Sequence, residues 1–322
     1  MRIVAAVTAV FADVDTGIDD ALALIYLLAS ADVVGIASTG GNIPVDQVCA
    51  NNLGLLEVCR APDIPVSKGA DQPLRGHWSQ RASVHGPTGL GHATLPPTER
   101  RLTDHDATAA WIAAARAHPG ALTGVVTGPL TNLALAVRAE PALPTLLRRL
   151  VIMGGTFDEH VDSAAEWNIR VDPEAASEVL AAWTGQQRLP VLCGLDLTRQ
   201  VAMTPAILDR LASAMGRSVL TDFVEDALRC YFESHGDRGY GYLAYLHDPL
   251  AAAVALDPEL VSTRTATVTV TLSDPRGRTV ADWSGTPESN AEIGIGVDSA
   301  VFFDRYIDRV GRFARTVRAD SS

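Results

Sequence analysis

The sequence predicts an α/β fold: an open, mostly parallel central sheet with helices on both faces, built as one domain over residues 1–322. Three observations carry this. Apolar runs of strand length alternate with longer helical patterns along most of the chain, as repeated βα units do. Parallel sheets of this kind are buried on both faces, and 47% hydrophobic residues suffice for a large core. No linker, internal repeat or low-complexity block divides the chain, although length alone suggests two domains of ~150 residues.

The elements follow in order. Ile3–Phe11 reads as a buried strand, Asp19–Ala29 as a helix apolar nearly all round, and Val33–Ser38 as a second strand. A helix over Val45–Cys59 and a short strand at Ile64–Val66 precede a stretch rich in Gly, Pro and His, about Gly69 to Thr103. So long a structureless loop is uncommon and often functional. Alternation resumes with a helix at Ala107–Ala117, a strand at Leu122–Val126, a helix at Thr131–Arg138 and a strand at Leu150–Met153. Pro173 opens a helix to Ala182, since proline suits the first turn. A strand at Val191–Cys193 leads to helices at Pro205–Met215, Val219–Ser234 and Asp248–Leu256. Late strands at Val261–Thr271 and Thr279–Ala281 flank a turn at Asp274–Gly277, and a helix over Ala300–Val317 ends the pattern.

Composition narrows the partners. Lys+Arg number 26 against 38 Asp+Glu, a formal charge of −12. Nucleic-acid binders need basic patches that displace counterions, so no nucleic acid is expected. No run of ~20 apolar residues marks a membrane span. The start, Met1-Arg2 and an apolar run to Phe11, superficially resembles a signal peptide. Cleavage after Ala12 would remove the strand that delivers Asp13 and Asp15, so the strand reading is preferred. Cys49, Cys59, Cys193 and Cys230 form no paired or zinc-like spacing and read as core thiols of a cytoplasmic protein.

The chemistry concentrates between the first strand and the first helix. Asp13-Val14-Asp15-Thr16-Gly17-Ile18-Asp19-Asp20 holds four carboxylates in eight residues. Acids favour a helix N-terminus, which accounts for one or two of them. Four crowded anions repel unless a cation neutralises them, and oxygen ligands suit Ca²⁺ or Mg²⁺ rather than zinc. Gly17 permits the tight turn. Ligands in such sheets bind beyond the carboxyl ends of the strands, where these acids fall.

The run Asp13-x-Asp15-x-Gly17-x-Asp19-Asp20-Ala21 resembles the N-terminal signature of the inosine-uridine-preferring nucleoside hydrolases. Further matches follow in order: Gly41-Asn42, Val126 to Asn132, Met153-Gly154-Gly155, Ala165-Glu166-Trp167-Asn168-Ile169, Val171 to Ala176, and His247-Asp248-Pro249. The resemblance covers almost the whole chain. It implies a Rossmann-like fold, a homodimer or homotetramer, and Ca²⁺-dependent hydrolysis of the N-glycosidic bond of a small ribonucleoside. By the same resemblance, Asp15, Asp20, Asp248 and the Thr127 carbonyl hold Ca²⁺, with Asp15 as general base. Asp19, Asn168 and Asn42 face the ribose and the attacking water, and Glu166 receives the 5′-hydroxyl. Asp13 matches the motif but not a ligand position and is assigned a supporting role.

His247 adjoins Asp248, and its ordinary pKa of ~6.5 suits proton donation to a departing base. His85, in Val84-His85-Gly86-Pro87, resembles part of a loop that closes on the site. Trp167, Tyr231, Tyr240 and Tyr242 are candidates to stack on a base. The chain departs from the family twice. Thr16 stands where many relatives have Pro, and His160 stands near an Asn that helps bind the 5′-hydroxyl. Two rival readings are a non-catalytic, metal-dependent nucleoside binder on the same scaffold and a haloacid-dehalogenase-like phosphatase, which Asp13-x-Asp15 also resembles. The second lacks cations for phosphate, since Lys68 is the single lysine. Base preference is not legible in the sequence.

Overall fold

A computed structural model describes residues 8–77, 84–158 and 165–319. The first half contributes β1 (Ala9–Val14), α1 (Ile18–Ser30), β2 (Asp32–Ser38), α2 (Val45–Val58), β3 (Val66–Lys68), α3 (Ala107–Ala117), β4 (Leu122–Val126), α4 (Thr131–Ala139), α5 (Leu143–Leu146) and β5 (Leu147–Met153). The second half adds α6 (Trp167–Val171), α7 (Pro173–Ala182), β6 (Val191–Cys193), α8 (Leu195–Thr198), β7 (Ala202–Met203), α9 (Pro205–Met215), α10 (Val219–Asp237) and β8 (Ala244–Tyr245). It closes with α11 (His247–Leu256), β9 (Val261–Val270), β10 (Thr279–Asp282), β11 (Ala291–Val297) and α12 (Ser299–Ala319).

Among the described residues, nine strands form one sheet in the order β10-β9-β11-β6-β5-β4-β1-β2-β3. From β11 to β3 every neighbouring pair is parallel, and β9 runs antiparallel to β10 and β11. The mostly parallel α/β sheet with helices on both faces is therefore as the sequence predicts. Buried apolar side chains form two cores, one on each face. One joins the sheet to α1, α10, α11 and α12, and the other joins it to α3, α4 and α7.

Three differences from the sequence reading have physical causes. β1 runs through Asp13 instead of ending at Phe11, because Trp111 Nε1 and Asn132 Nδ2 donate to the Asp13 carboxylate at 2.7 and 2.9 Å and let a buried acid sit in a strand. The predicted start of that strand, before residue 8, lies outside the described residues. β11 went unpredicted because Gly294 and Gly296 dilute its apolar alternation. Gly294 is required by packing: a Cβ there would lie 2.6 Å from Leu197 Cδ2. β5 begins three residues early, with Arg149 reaching the Ala255 carbonyl. The four cysteines are free thiols.

Candidate active site

Successive strands run outward from β1 through β2 to β3 on one side, and from β4 through β5 to β6 on the other. The boundary between β1 and β4 is thus the topological switch point of the sheet, and the crevice beyond its carboxyl ends is where such sheets bind ligands. Asp15 follows β1, and Thr127 follows β4. Asn42 lies on the loop leaving β2, and Asn168 Nδ2 donates to the Met153 carbonyl at the end of β5. The N-termini of α1 and α11 bring Asp19, Asp20 and Asp248 to the same point. Their positive dipole ends partly offset this concentration of acid.

The four acids are buried. Asp20, in the third position of α1, accepts from Gly17 N–H at 2.9 Å, Asn42 Nδ2 at 3.4 Å and Thr127 Oγ1 at 2.6 Å. Asp15 Oδ2 accepts from Asn42 N–H at 2.7 Å, and Asp19 Oδ2 from the Tyr231 hydroxyl at 3.4 Å. Asp15 Oδ1 and Asp19 Oδ1 are buried with no hydrogen-bond donor among the described residues. Buried oxygens are normally paired. Asp19, Asp20 and Asp248 each offer an oxygen, all within 4.8 Å of one another, a group able to hold a metal ion. Burial, reinforced by neighbouring carboxylates, pushes Asp15 and Asp248 well above the ordinary range and Asp19 up to about 8. Orphaned oxygens and mutual repulsion both fit a hard cation among these residues. The tightest group contains Asp19, assigned from sequence to the sugar, rather than Asp15.

Above the acids lies a cavity of about 430 Å³, within the roughly 300–1,000 Å³ typical of small-molecule sites. One wall carries Asn42, Glu166, Trp167 and Asn168. Glu166 caps α6: its carboxylate accepts from the N–H groups of Gly155, Asn168 and Ile169 at 3.2, 2.9 and 3.1 Å. Glu166 is thus both a buried helix cap and part of the cavity wall. Asn168 Nδ2 also donates to the Thr127 carbonyl at 2.6 Å. This leaves the Asn168 Oδ1 side of the amide for a ligand.

The opposite wall carries His85, Tyr231, Tyr240 and His247. His85 Nδ1 accepts the Ile18 N–H at 3.1 Å, which places its proton on Nε2. Burial and Arg238 push His85 down to about 3. His247 Nδ1 lies 2.7 Å from Thr198 Oγ1. Loss of water, then His235 and Arg199, hold His247 well below its usual range, so its ring is neutral rather than the ready acid its ordinary pKa suggests. The structure does not bring Tyr242 to this cavity. Tyr242 packs on Phe232 at 5.3 Å, in a separate groove with Pro205 and Leu208. The reason is helical geometry: Tyr231 and His235, four apart on α10, share the cavity face, whereas Phe232 points elsewhere. His160 lies outside the described residues. Sequence reasoning missed His235, Tyr245, Arg199 and Arg238, all lining the cavity. The spacing of Tyr231 and His235 was the available signal.

The chain belongs to the inosine-uridine preferring nucleoside hydrolase family, whose sequence model matches residues 10–304, and it is accordingly a nucleoside hydrolase. It is 36% identical over 314 residues to the pyrimidine-specific ribonucleoside hydrolase RihA of Salmonella gallinarum, covering 94% of this chain and 98% of the relative. It is 32% identical over 263 residues to uridine nucleosidase 1 of Arabidopsis thaliana, covering 80% and 76% of the two chains. Among solved structures, a purine-preferring ribonucleoside hydrolase from Gardnerella vaginalis superposes with a TM-score of 0.89 at 29% identity, covering 96% of this chain and 99% of that one.

Proposed function

We propose that this enzyme cleaves the N-glycosidic bond of ribonucleosides to ribose and free base with Ca²⁺ as its cation. The carrying observation is the convergence of Asp15, Asp19, Asp20 and Asp248, two of them with orphaned oxygens, beneath a cavity of small-molecule size at the switch point. The RihA and uridine nucleosidase relatives support pyrimidine ribonucleosides as substrates.

Asp15, Asp20, Asp248 and the Thr127 carbonyl would hold the cation, with Asp19 beside them. A Ca²⁺ ion held there would supply a lower pKa for water and an attraction for hydroxyl oxygens. The chain's own groups do the rest. Asn42 fixes Asp15 through Oδ2, which leaves Oδ1 to take a proton from the attacking water. The water oxygen bonds to C1′ as the C1′–N bond breaks, and the bonding pair leaves with the base. The transition state is oxocarbenium-like, and the buried carboxylates stabilise its positive sugar. Asn168 Oδ1 and the capped Glu166 carboxylate accept ribose hydroxyls. With Thr198 Oγ1 as donor to His247 Nδ1, the tautomer this role requires, a proton on Nε2 would serve the departing base.

We further propose one domain over residues 1–322, a homodimer or homotetramer, and a cytoplasmic location. Separately, no helix among the described residues is long and apolar enough to cross a membrane. The test is a nucleoside panel assayed by reducing-sugar release, with 2′-deoxy analogues and chelated controls. Ribose release from uridine that calcium restores after chelation is the expected result. Intact nucleosides throughout, or activity indifferent to chelation, would overturn the proposal.

A further inference from the structure

His235 is buried in the cavity wall, one helical turn beyond Tyr231 on α10. Its Nδ1 lies 3.0 Å from the Tyr231 carbonyl oxygen. A carbonyl oxygen only accepts, so Nδ1 carries the proton and Nε2 presents a lone pair. Nε2 has no hydrogen-bond partner among the described residues. The ring is held on three sides by Tyr231, Tyr240 and Tyr245, with centroids at 4.6, 5.8 and 5.5 Å. Such clamping fixes where the lone pair points. Three residues further on, Arg238 caps α10 and lines the same cavity. The same cavity wall thus carries a fixed acceptor and a guanidinium donor.

We infer that His235 reads the leaving base, selecting bases whose outer edge carries a ring N–H beside a carbonyl, as in uracil and hypoxanthine. The ring N–H donates to His235 Nε2, and the neighbouring carbonyl accepts from Arg238. Cytosine and adenine reverse the pattern, with a bare ring nitrogen beside an amino group. Two lone pairs would then face each other at His235, and two donors at Arg238. Burial, together with the positive charges of Arg238 and Arg199, opposes protonation of His235 and so preserves the acceptor. A site built around a hydrogen bond rejects analogues that lack the donor more strongly than shape alone does. The inference rests on the proposed nucleoside cleavage and adds which bases the site accepts.

The experiment compares uridine with 3-methyluridine, in which the ring N–H is gone, and with cytidine. The native enzyme should cleave uridine with a kcat/KM about tenfold or more above either analogue. His235→Phe, which keeps an aromatic ring but no acceptor, should reduce that ratio to near unity, mainly by lowering uridine kcat/KM. His235→Gln, which restores an acceptor, should recover part of the preference. A riboside with a nitrophenol leaving group has no base edge, so its cleavage by the native enzyme reports the parent reaction separately from base recognition. Equal rates for uridine and 3-methyluridine in the native enzyme, or a preference undiminished in His235→Phe, would overturn the assignment. Failure to cleave even the nitrophenyl riboside would instead sink the parent reading. Calorimetric binding of uracil against 3-methyluracil then tests His235 without turnover, with preference for uracil expected and equal binding refuting it.

Discussion

Without the proposed cation, this protein should be unstable in a pH-dependent way opposite to the usual behaviour of carboxylates. Burial and mutual repulsion raise the pKa of Asp15, Asp19, Asp20 and Asp248 in the fold. A raised carboxyl contributes fully below its unfolded pKa, and the contribution is lost as pH rises toward the folded value. For Asp19 that window runs from 3.8 to about 8. Each pH unit inside it costs about 1.4 kcal/mol, so at pH 7 Asp19 alone represents on the order of 4 kcal/mol. The other three acids add to this in the same direction. Calcium should reverse the effect, because on the proposed reading it would bind the ionised cluster. A free concentration of about a hundred times Kd returns ~2.7 kcal/mol, a Tm rise of roughly 5 °C at ~2 °C per kcal/mol. Calorimetry at about pH 5 and about pH 8, with chelator and with calcium, is the assay. The calcium increment should be small at the lower pH and large at the higher. In chelator, Asp20→Asn should raise Tm by removing one anion, and in calcium it should lower Tm. A calcium increment independent of pH, or an Asp20→Asn variant that melts lower in chelator, would refute the reasoning.

Three other outcomes follow from single contacts. Asp15→Asn should cut kcat by about 10²–10⁴-fold, the range for loss of a general base, with circular dichroism unchanged. Gly41→Ala should cost ~10²-fold in kcat, since the new Cβ would stand 2.2 Å from Asp15 Oδ2 and 2.7 Å from Pro129 Cδ; full activity would show that the position of Asp15 is not critical. Thr16→Val should lose about 1–3 kcal/mol in urea denaturation, because the Thr16 hydroxyl donates to buried Asn52 Oδ1 at 2.5 Å and leaves it unpaired when removed.

That last contact shows how far the sequence reaches. Thr16 was visible as a departure from the family, but its partner Asn52 sits 36 residues away on α2, and nothing local announces the pair. Asp13 was likewise legible as part of the motif, yet its role as acceptor for Trp111 and Asn132 depends on β1 lying beside β4. The Tyr242 assignment failed for a similar reason. Residues 240 and 242 look equivalent in sequence, but the turn after α10, with Gly239 and Gly241 at positive φ, sends one ring to the cavity and the other to Phe232.

By itself the sequence determined the α/β class, most element positions, the four-acid cluster and the family, because these depend on periodicity and on residues adjacent in the chain. Only the tertiary structure decided which carboxylate oxygens lack donors, that burial holds the His247 pKa down, and that His235 and Arg238 line the cavity. Those properties arise from burial and from charges far apart in sequence. Periodicity does not encode such distances. They exist only once the β1–β4 switch point and the N-termini of α1 and α11 have been brought together.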